Sequence, residues 1–148
     1  MNRPFVFINS AMSADGKISS RDRRQIRISG KEDLMRVDEL RAASDAIMVG
    51  VGTVLADDPG LRVKSRILRE KRKDMGQLKE PFRIVTDSNA RTPANAKILG
   101  PGCMIAVSYS APEERLDRLQ PGCEIIKCGT EMVDLPGLME ELYNRGVR

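Results

Sequence analysis

The chain has 148 residues, 41% hydrophobic and 31% charged, enough for one sizeable core and too short for two ordinary domains. It contains no histidine, which excludes Ser-His-Asp and Cys-His nucleophilic catalysis and the zinc deaminase signature, since each needs an imidazole. A net charge of +4 suits anionic ligands such as phosphates without requiring one; no apolar stretch near the N-terminus is longer than Phe5 to Ile8, as a signal peptide would need, and no run of about 18 apolar residues offers a membrane span, so a cytoplasmic protein is expected.

In chain order, Pro4-Phe5-Val6-Phe7-Ile8-Asn9 reads as a short, largely buried first strand, because aromatic and β-branched residues follow one another without helical period. A polar loop follows at Ser13 to Lys17. Ser29-Gly30-Lys31-Glu32 fits a capping box, predicting a helix with Leu34, Val37 and Leu40 toward the core and Arg41 behind them. Ala46 to Val49 is a second strand, closed by Gly50-Val51-Gly52, with Thr53 as N-cap of a short helix and Asp58-Pro59-Gly60 as a turn. Phe82 to Thr86 and Met104 to Val107 make further strands. Pro112 to Leu119 reads as a helix, Glu124 to Ile126 as a fifth strand, and Leu135 to Tyr143 as a last helix stopped at Gly146, with Val147 beginning another strand. Short strands alternating with helices predict an α/β domain whose mostly parallel sheet is covered on both faces.

Cys103, Cys123 and Cys128 have neither C-x-x-C spacing nor a histidine to complete a metal site, so they read as buried free thiols, with no metal. The segment 62–79 carries Arg62, Lys64, Arg66, Arg69, Lys71, Arg72, Lys73 and Lys79 against Glu70 and Asp74. Such a block is ordinarily a solvated loop or frayed helix. A nucleotide- or RNA-binding module is the sharper alternative, though no aromatic residue for base stacking lies in the run.

In open α/β sheets ligands gather beyond the carboxyl ends of strands. Three such ends stand out: Asn9-Ser10-Ala11-Met12, Gly50-Val51-Gly52-Thr53 and Asp87-Ser88-Asn89. Glycines before a helix let a phosphate or ring approach the backbone, although G-x-G alone is also a plain turn. Asp57-Asp58 reads first as a turn former rather than an acid-base pair, and Arg41 is equally suited to complementing a helix dipole.

Taken together, Asn9 to Lys17 (N-S-A-M-S-A-D-G-K), Leu40-Arg41-Ala42, Ile47 to Pro59 (I-M-V-G-V-G-T-V-L-A-D-D-P) with Leu61, and Arg83 to Ser88 (R-I-V-T-D-S) with Arg91 and Pro93 resemble one family over essentially the whole chain. It is the pyrimidine reductases of riboflavin biosynthesis, both the stand-alone archaeal and fungal type and the reductase domain of the bacterial bifunctional enzyme. The resemblance implies a dihydrofolate-reductase-like fold, a homodimer and NADPH as hydride donor. On the cofactor side it implies Met12, Arg27, Gly52, Thr53, Asp57, Ser88, Arg91 and Val133. On the substrate side it implies Asn9, Gln25, Arg41, Leu61 and Lys64, the cations meeting the 5′-phosphate, with the stretch 25–28 bordering both ligands. Lys64 stands where some relatives have arginine, which would replace a bidentate grip by a point charge.

The implied reaction reduces the ribosylamino side chain of 2,5-diamino-6-ribosylamino-4(3H)-pyrimidinone 5′-phosphate to the ribitylamino form. The deaminated 5-amino-6-ribosylamino-uracil phosphate, or the substrate of another dihydrofolate-reductase-like NADPH enzyme, is the alternative. Hydride transfer from a held cofactor makes little demand for a protein nucleophile, which suits a chain without histidine. Relatives continue with a strand, a glutamate and a Gly-rich turn, so residues 1–148 are expected to form the N-terminal two-thirds of a single reductase domain.

Overall fold

The structure is a computed structural model describing residues 2–20 and 28–148. Its elements run α1 (Lys31–Ala43), β1 (Ala46–Gly50), α2 (Val51–Asp57), α3 (Arg66–Asp74), β2 (Phe82–Thr86), β3 (Cys103–Val107), α4 (Glu113–Leu119), a 3-10 turn (Gln120–Gly122), β4 (Glu124–Lys127) and α5 (Leu135–Asn144). The four strands form one parallel sheet in the order β1-β2-β3-β4, with Ala46 opposite Phe82, Arg83 opposite Cys103 and Met104 opposite Glu124.

The two-residue period of a strand divides the core between the sheet's faces. Cys103, Ile105 and Val107 of β3 pack with Val51 and Val54 of α2 and Leu116 and Leu119 of α4. Met104 and Ala106 turn the other way, onto Leu138 and Leu142 of α5 and onto Val147. With helices on both faces, β3 is buried along its whole length, as its unbroken apolar sequence requires.

Two arginines are buried without a hydrogen-bonded carboxylate. Arg83, inside β2, donates to the carbonyls of Ile98 (2.9 Å), Gly100 (3.2 Å) and Pro101 (2.9 Å), anchoring the loop before β3. Burial lowers its pKa, and Arg62 adds to the effect. Arg72 of α3 donates to Leu78, Ala42 and Ser44 carbonyls, tying α3 to the end of α1.

Several expectations are corrected. The segment 4–9 is not a strand: it runs beside β1 without joining the ladder, and Phe5 and Ile8 stay 82% and 90% exposed. Strand propensity describes a side-chain pattern, but a strand exists only where a partner takes its amides. Ser29 is not the N-cap of α1; Gly30 is, without a side-chain hydrogen bond. The Ser29 hydroxyl instead engages Asp33, and this bond, with another from Arg36, holds the Asp33 carboxyl below its usual range. Leu34 stays exposed, and the residue α1 buries is Asp38. Thr53 is not an N-cap either, because the chain passes from β1 straight into α2 with Gly50 in that place. The basic run is neither solvated loop nor frayed helix over 66–74. It forms α3, capped where the Ser65 hydroxyl accepts from the Leu68 amide, and it buries Arg72.

Candidate functional site

The carboxyl ends of all four strands lie at one end of the sheet, and hydrogen bonds join the loops after β2, β3 and β4. Asp87, directly after β2, is fully buried. Its Oδ2 accepts from the Thr92 amide (2.7 Å) and hydroxyl (2.8 Å), closing a loop that holds Ala90 at φ 50°. Its Oδ1 has no hydrogen-bond partner among the described residues, and Arg91 Nε at 4.0 Å gives Coulombic attraction only. Next along the chain, Ser88 accepts at Oγ from the Val133 amide (3.0 Å), while its carbonyl accepts from the Ser108 amide and hydroxyl. Tyr109 and Ser110 amides donate in turn to the Gly129 and Thr130 carbonyls, so the loops after β2, β3 and β4 are tied to one another. Beside them, Gly52 and Thr53 are exposed in the first turn of α2, and a Cβ at Gly52 would meet nothing within 4 Å.

The loop after α2 is built differently. Asp58 takes a left-handed conformation (φ 42°) and accepts from the Lys97 amide (2.8 Å) with the Lys97 ammonium at 3.2 Å, which lowers its pKa. The second aspartate is therefore the turn former, whereas Asp57, half-buried, makes no side-chain hydrogen bond among the described residues. Leu61 is also left-handed (φ 49°) and buried. A β-carbon at such φ costs on the order of 1 kcal/mol per residue, so the surrounding bonds must over-determine the loop.

They do so through the backbone of 62–65. Arg41 Nη1 reaches the Arg62 carbonyl (3.4 Å), Glu80 accepts from the Val63 amide (2.8 Å), and Arg69 donates to the Val63 carbonyl (2.9 Å). Asp38, 8% exposed, accepts from the Lys64 amide with one oxygen and the Ser65 amide with the other, both at 2.7 Å. Asp38 was not among the residues the sequence singled out. Its signal was an acid on the stripe of α1 shared by Leu34 and Arg41, since a buried carboxylate requires fixed partners.

A cavity of about 490 Å³ lies along the free edge of β1, between the 4–9 segment, α1 and α5. It brings together Asn9, Arg41 and Leu61; Lys64 follows on the gripped segment with its side chain exposed. A neighbouring cleft holds Met12, 59% exposed, and also touches Asn9, whose Oδ1 accepts from Arg36 (2.9 Å). Gly52 and Thr53 lie instead in the first turn of α2, and Ser88, Arg91 and Val133 in the loops after β2 and β4. Gln25 and Arg27 lie outside the described residues. The three cysteines are free, and among the described residues no group of three His, Cys, Asp or Glu side chains is placed to hold a metal.

Residues 4–148 match the family model of the RibD C-terminal domain. The chain is 53% identical over 148 residues to the 2,5-diamino-6-ribosylamino-4(3H)-pyrimidinone 5′-phosphate reductase of Archaeoglobus fulgidus, covering 99% of this chain and 68% of that protein. It is 46% identical over 147 residues to the protein of the same name from Methanothermobacter thermautotrophicus, covering 98% and 64%. The chain thus spans about two thirds of the length of these curated relatives. Among solved structures it is similar to a pyrimidine reductase-like protein of Corynebacterium diphtheriae, with a TM-score of 0.79 at 18% identity over 93% of this chain and 60% of that one. RibD of Acinetobacter baumannii gives a TM-score of 0.76 at 27% identity over 98% and 38%.

Proposed function

The chain belongs to the RibD C-terminal domain family, and from that premise we propose that its protein is an NADPH-dependent reductase of 2,5-diamino-6-ribosylamino-4(3H)-pyrimidinone 5′-phosphate. On this reading residues 1–148 span about two thirds of a single dihydrofolate-reductase-like domain. The observation that carries it is the convergence of Asn9, Arg41 and Leu61 on one cavity, with Lys64 gripped just beyond.

The strand-end loops suit a dinucleotide. Gly52 leaves open space where any other residue would project a Cβ, the Ser88 and Val133 loops are joined into one rigid edge, and Arg91 adds an exposed cation beside them. NADPH, when bound, supplies the hydride; the chain's own residues orient and enclose. Arg41 and Lys64 hold the phosphate, the first through a planar fork and the second as a point charge. The apolar wall of Leu40, Met48 and Met139 lies beside Arg41 in the same cavity, lowering the local dielectric around its contact. A homodimer belongs to the same reading. So does a cytoplasmic enzyme; among the described residues no helix is long and apolar enough to cross a membrane.

The test follows NADPH oxidation with the diamino substrate and its deaminated counterpart, in the wild type and in Arg41→Ala. Preferred turnover of the diamino compound, with KM raised at least about tenfold by Arg41→Ala and NADPH affinity unchanged, supports the proposal. Preference for the deaminated compound moves the substrate, and an unchanged KM removes the phosphate clamp.

A further inference from the structure

We propose that Asp38 is a positioning residue for the phosphate clamp, acting through the backbone of Lys64; the proposal rests on the substrate reading above. Asp38 lies one helical turn before Arg41 on α1. Its carboxylate spans two successive amides, Lys64 and Ser65, at 2.7 Å each. The same side chain therefore joins the helix that carries one cation to the segment that carries the other.

The chemistry of the grip is specific. A carboxylate offers two acceptors and no donor, which matches two neighbouring N–H groups; a carboxamide would set its NH₂ against one of them. Because Ser65 caps α3, Asp38 also determines where that helix begins relative to α1. Lys64 has a flexible side chain, so its ammonium is placed only as well as its Cα. A phosphate held jointly by Arg41 and Lys64 needs their separation fixed, and Asp38 is the group that spans the two elements.

The test is a double-mutant cycle in the protein at its full natural length. Asp38→Asn and Lys64→Ala are measured singly and together for KM, kcat, NADPH affinity and inhibition by ribose 5-phosphate. The expected result is a KM about tenfold higher in Asp38→Asn, the effect of losing one charge-assisted hydrogen bond, with kcat and NADPH affinity near wild type. Ribose 5-phosphate inhibition should weaken in parallel, and Asp38→Asn should add nothing in the Lys64→Ala background. Additive effects, or an equal loss of NADPH affinity, would show a merely structural role and overturn the proposal. If Asp38→Asn does not fold, Asp38→Glu, which keeps the charge but moves the oxygens out by one methylene, replaces it in the cycle, and the same two results support or overturn the proposal. The wild-type preference for the phosphorylated over the dephosphorylated substrate separates the two levels. No such preference defeats the substrate reading and this inference with it, whereas a preference that Asp38→Asn leaves intact defeats the inference alone.

Discussion

Arg72 sits in a run of cations that looks solvated, yet only 3% of it is exposed. Its guanidinium donates to Leu78 (2.9 Å), Ala42 (2.7 Å) and Ser44 (2.8 Å), the last two being carbonyls at the end of α1 that no helical amide can reach. Burial lowers its pKa, while nearby Asp45 and Glu80 oppose that shift. Replacing it with Met keeps the apolar stem and removes all three bonds. Charge-assisted bonds contribute about 1.5–3 kcal/mol each, but burying the ion costs several kcal/mol that the variant recovers, so the net loss should be about 3 kcal/mol. In urea, with a slope near 2 kcal/mol per molar, the midpoint should fall by about 1.5 M at unchanged slope. Lys71→Met and Lys73→Met, exposed neighbours on the same helix, should stay within about 0.5 kcal/mol of wild type. If Arg72→Met joined them there, the view of Arg72 as a backbone clamp would be refuted.

Asp87→Asn should cost about 1–3 kcal/mol, because the new NH₂ meets either the Thr92 donors or a position without an acceptor; a melting temperature equal to wild type would contradict this. The glycines of the two strand-end loops should respond oppositely. Gly52→Ala enters open space and should stabilise α2 by up to about 1 kcal/mol while weakening NADPH binding. Gly129→Ala would place a Cβ on the Met132 carbonyl at φ +83°, and should sharply lower the melting temperature. Unweakened NADPH binding in Gly52→Ala would remove that residue from the cofactor site. Burial, with a smaller push from Cys103, raises the Cys123 thiol from 9.0 to about 12. A group whose folded pKa is raised stabilises fully below its unfolded pKa, so this contribution should disappear as pH climbs from 9.0 toward about 12. Chemical denaturation across that window should lose stability more steeply in wild type than in Cys123→Ala, and equal slopes would count against it.

Much of the architecture was determined by local pattern. The runs 46–49, 82–86, 104–107 and 124–126 are each β strands because they are short, apolar and bounded by turn residues, and the strand ends at Gly50 and Asp87, expected to carry ligand-binding groups, do lie at the sheet's carboxyl edge. Of the residues expected on the substrate side, Asn9, Arg41 and Leu61 line one cavity, Lys64 lies outside its lining, and Gln25 is outside the described residues. What the sequence could not decide was which polar groups spend themselves inside the protein. Arg72 and Lys71 are both cations of one basic run, but only Arg72 faces the end of α1; Asp57 and Asp58 are adjacent, but only Asp58 meets Lys97. Asp38 has no local mark beyond sharing a helix face with Leu34 and Arg41, and the amides it holds lie 26 and 27 residues away. The segment 4–9 shows the converse, a strand pattern left unpaired beside β1. Secondary structure follows from dihedral preference and side-chain period, which each segment carries within itself. Hydrogen-bond satisfaction in a buried space depends on partners from elsewhere in the chain, and only the assembled fold selects them.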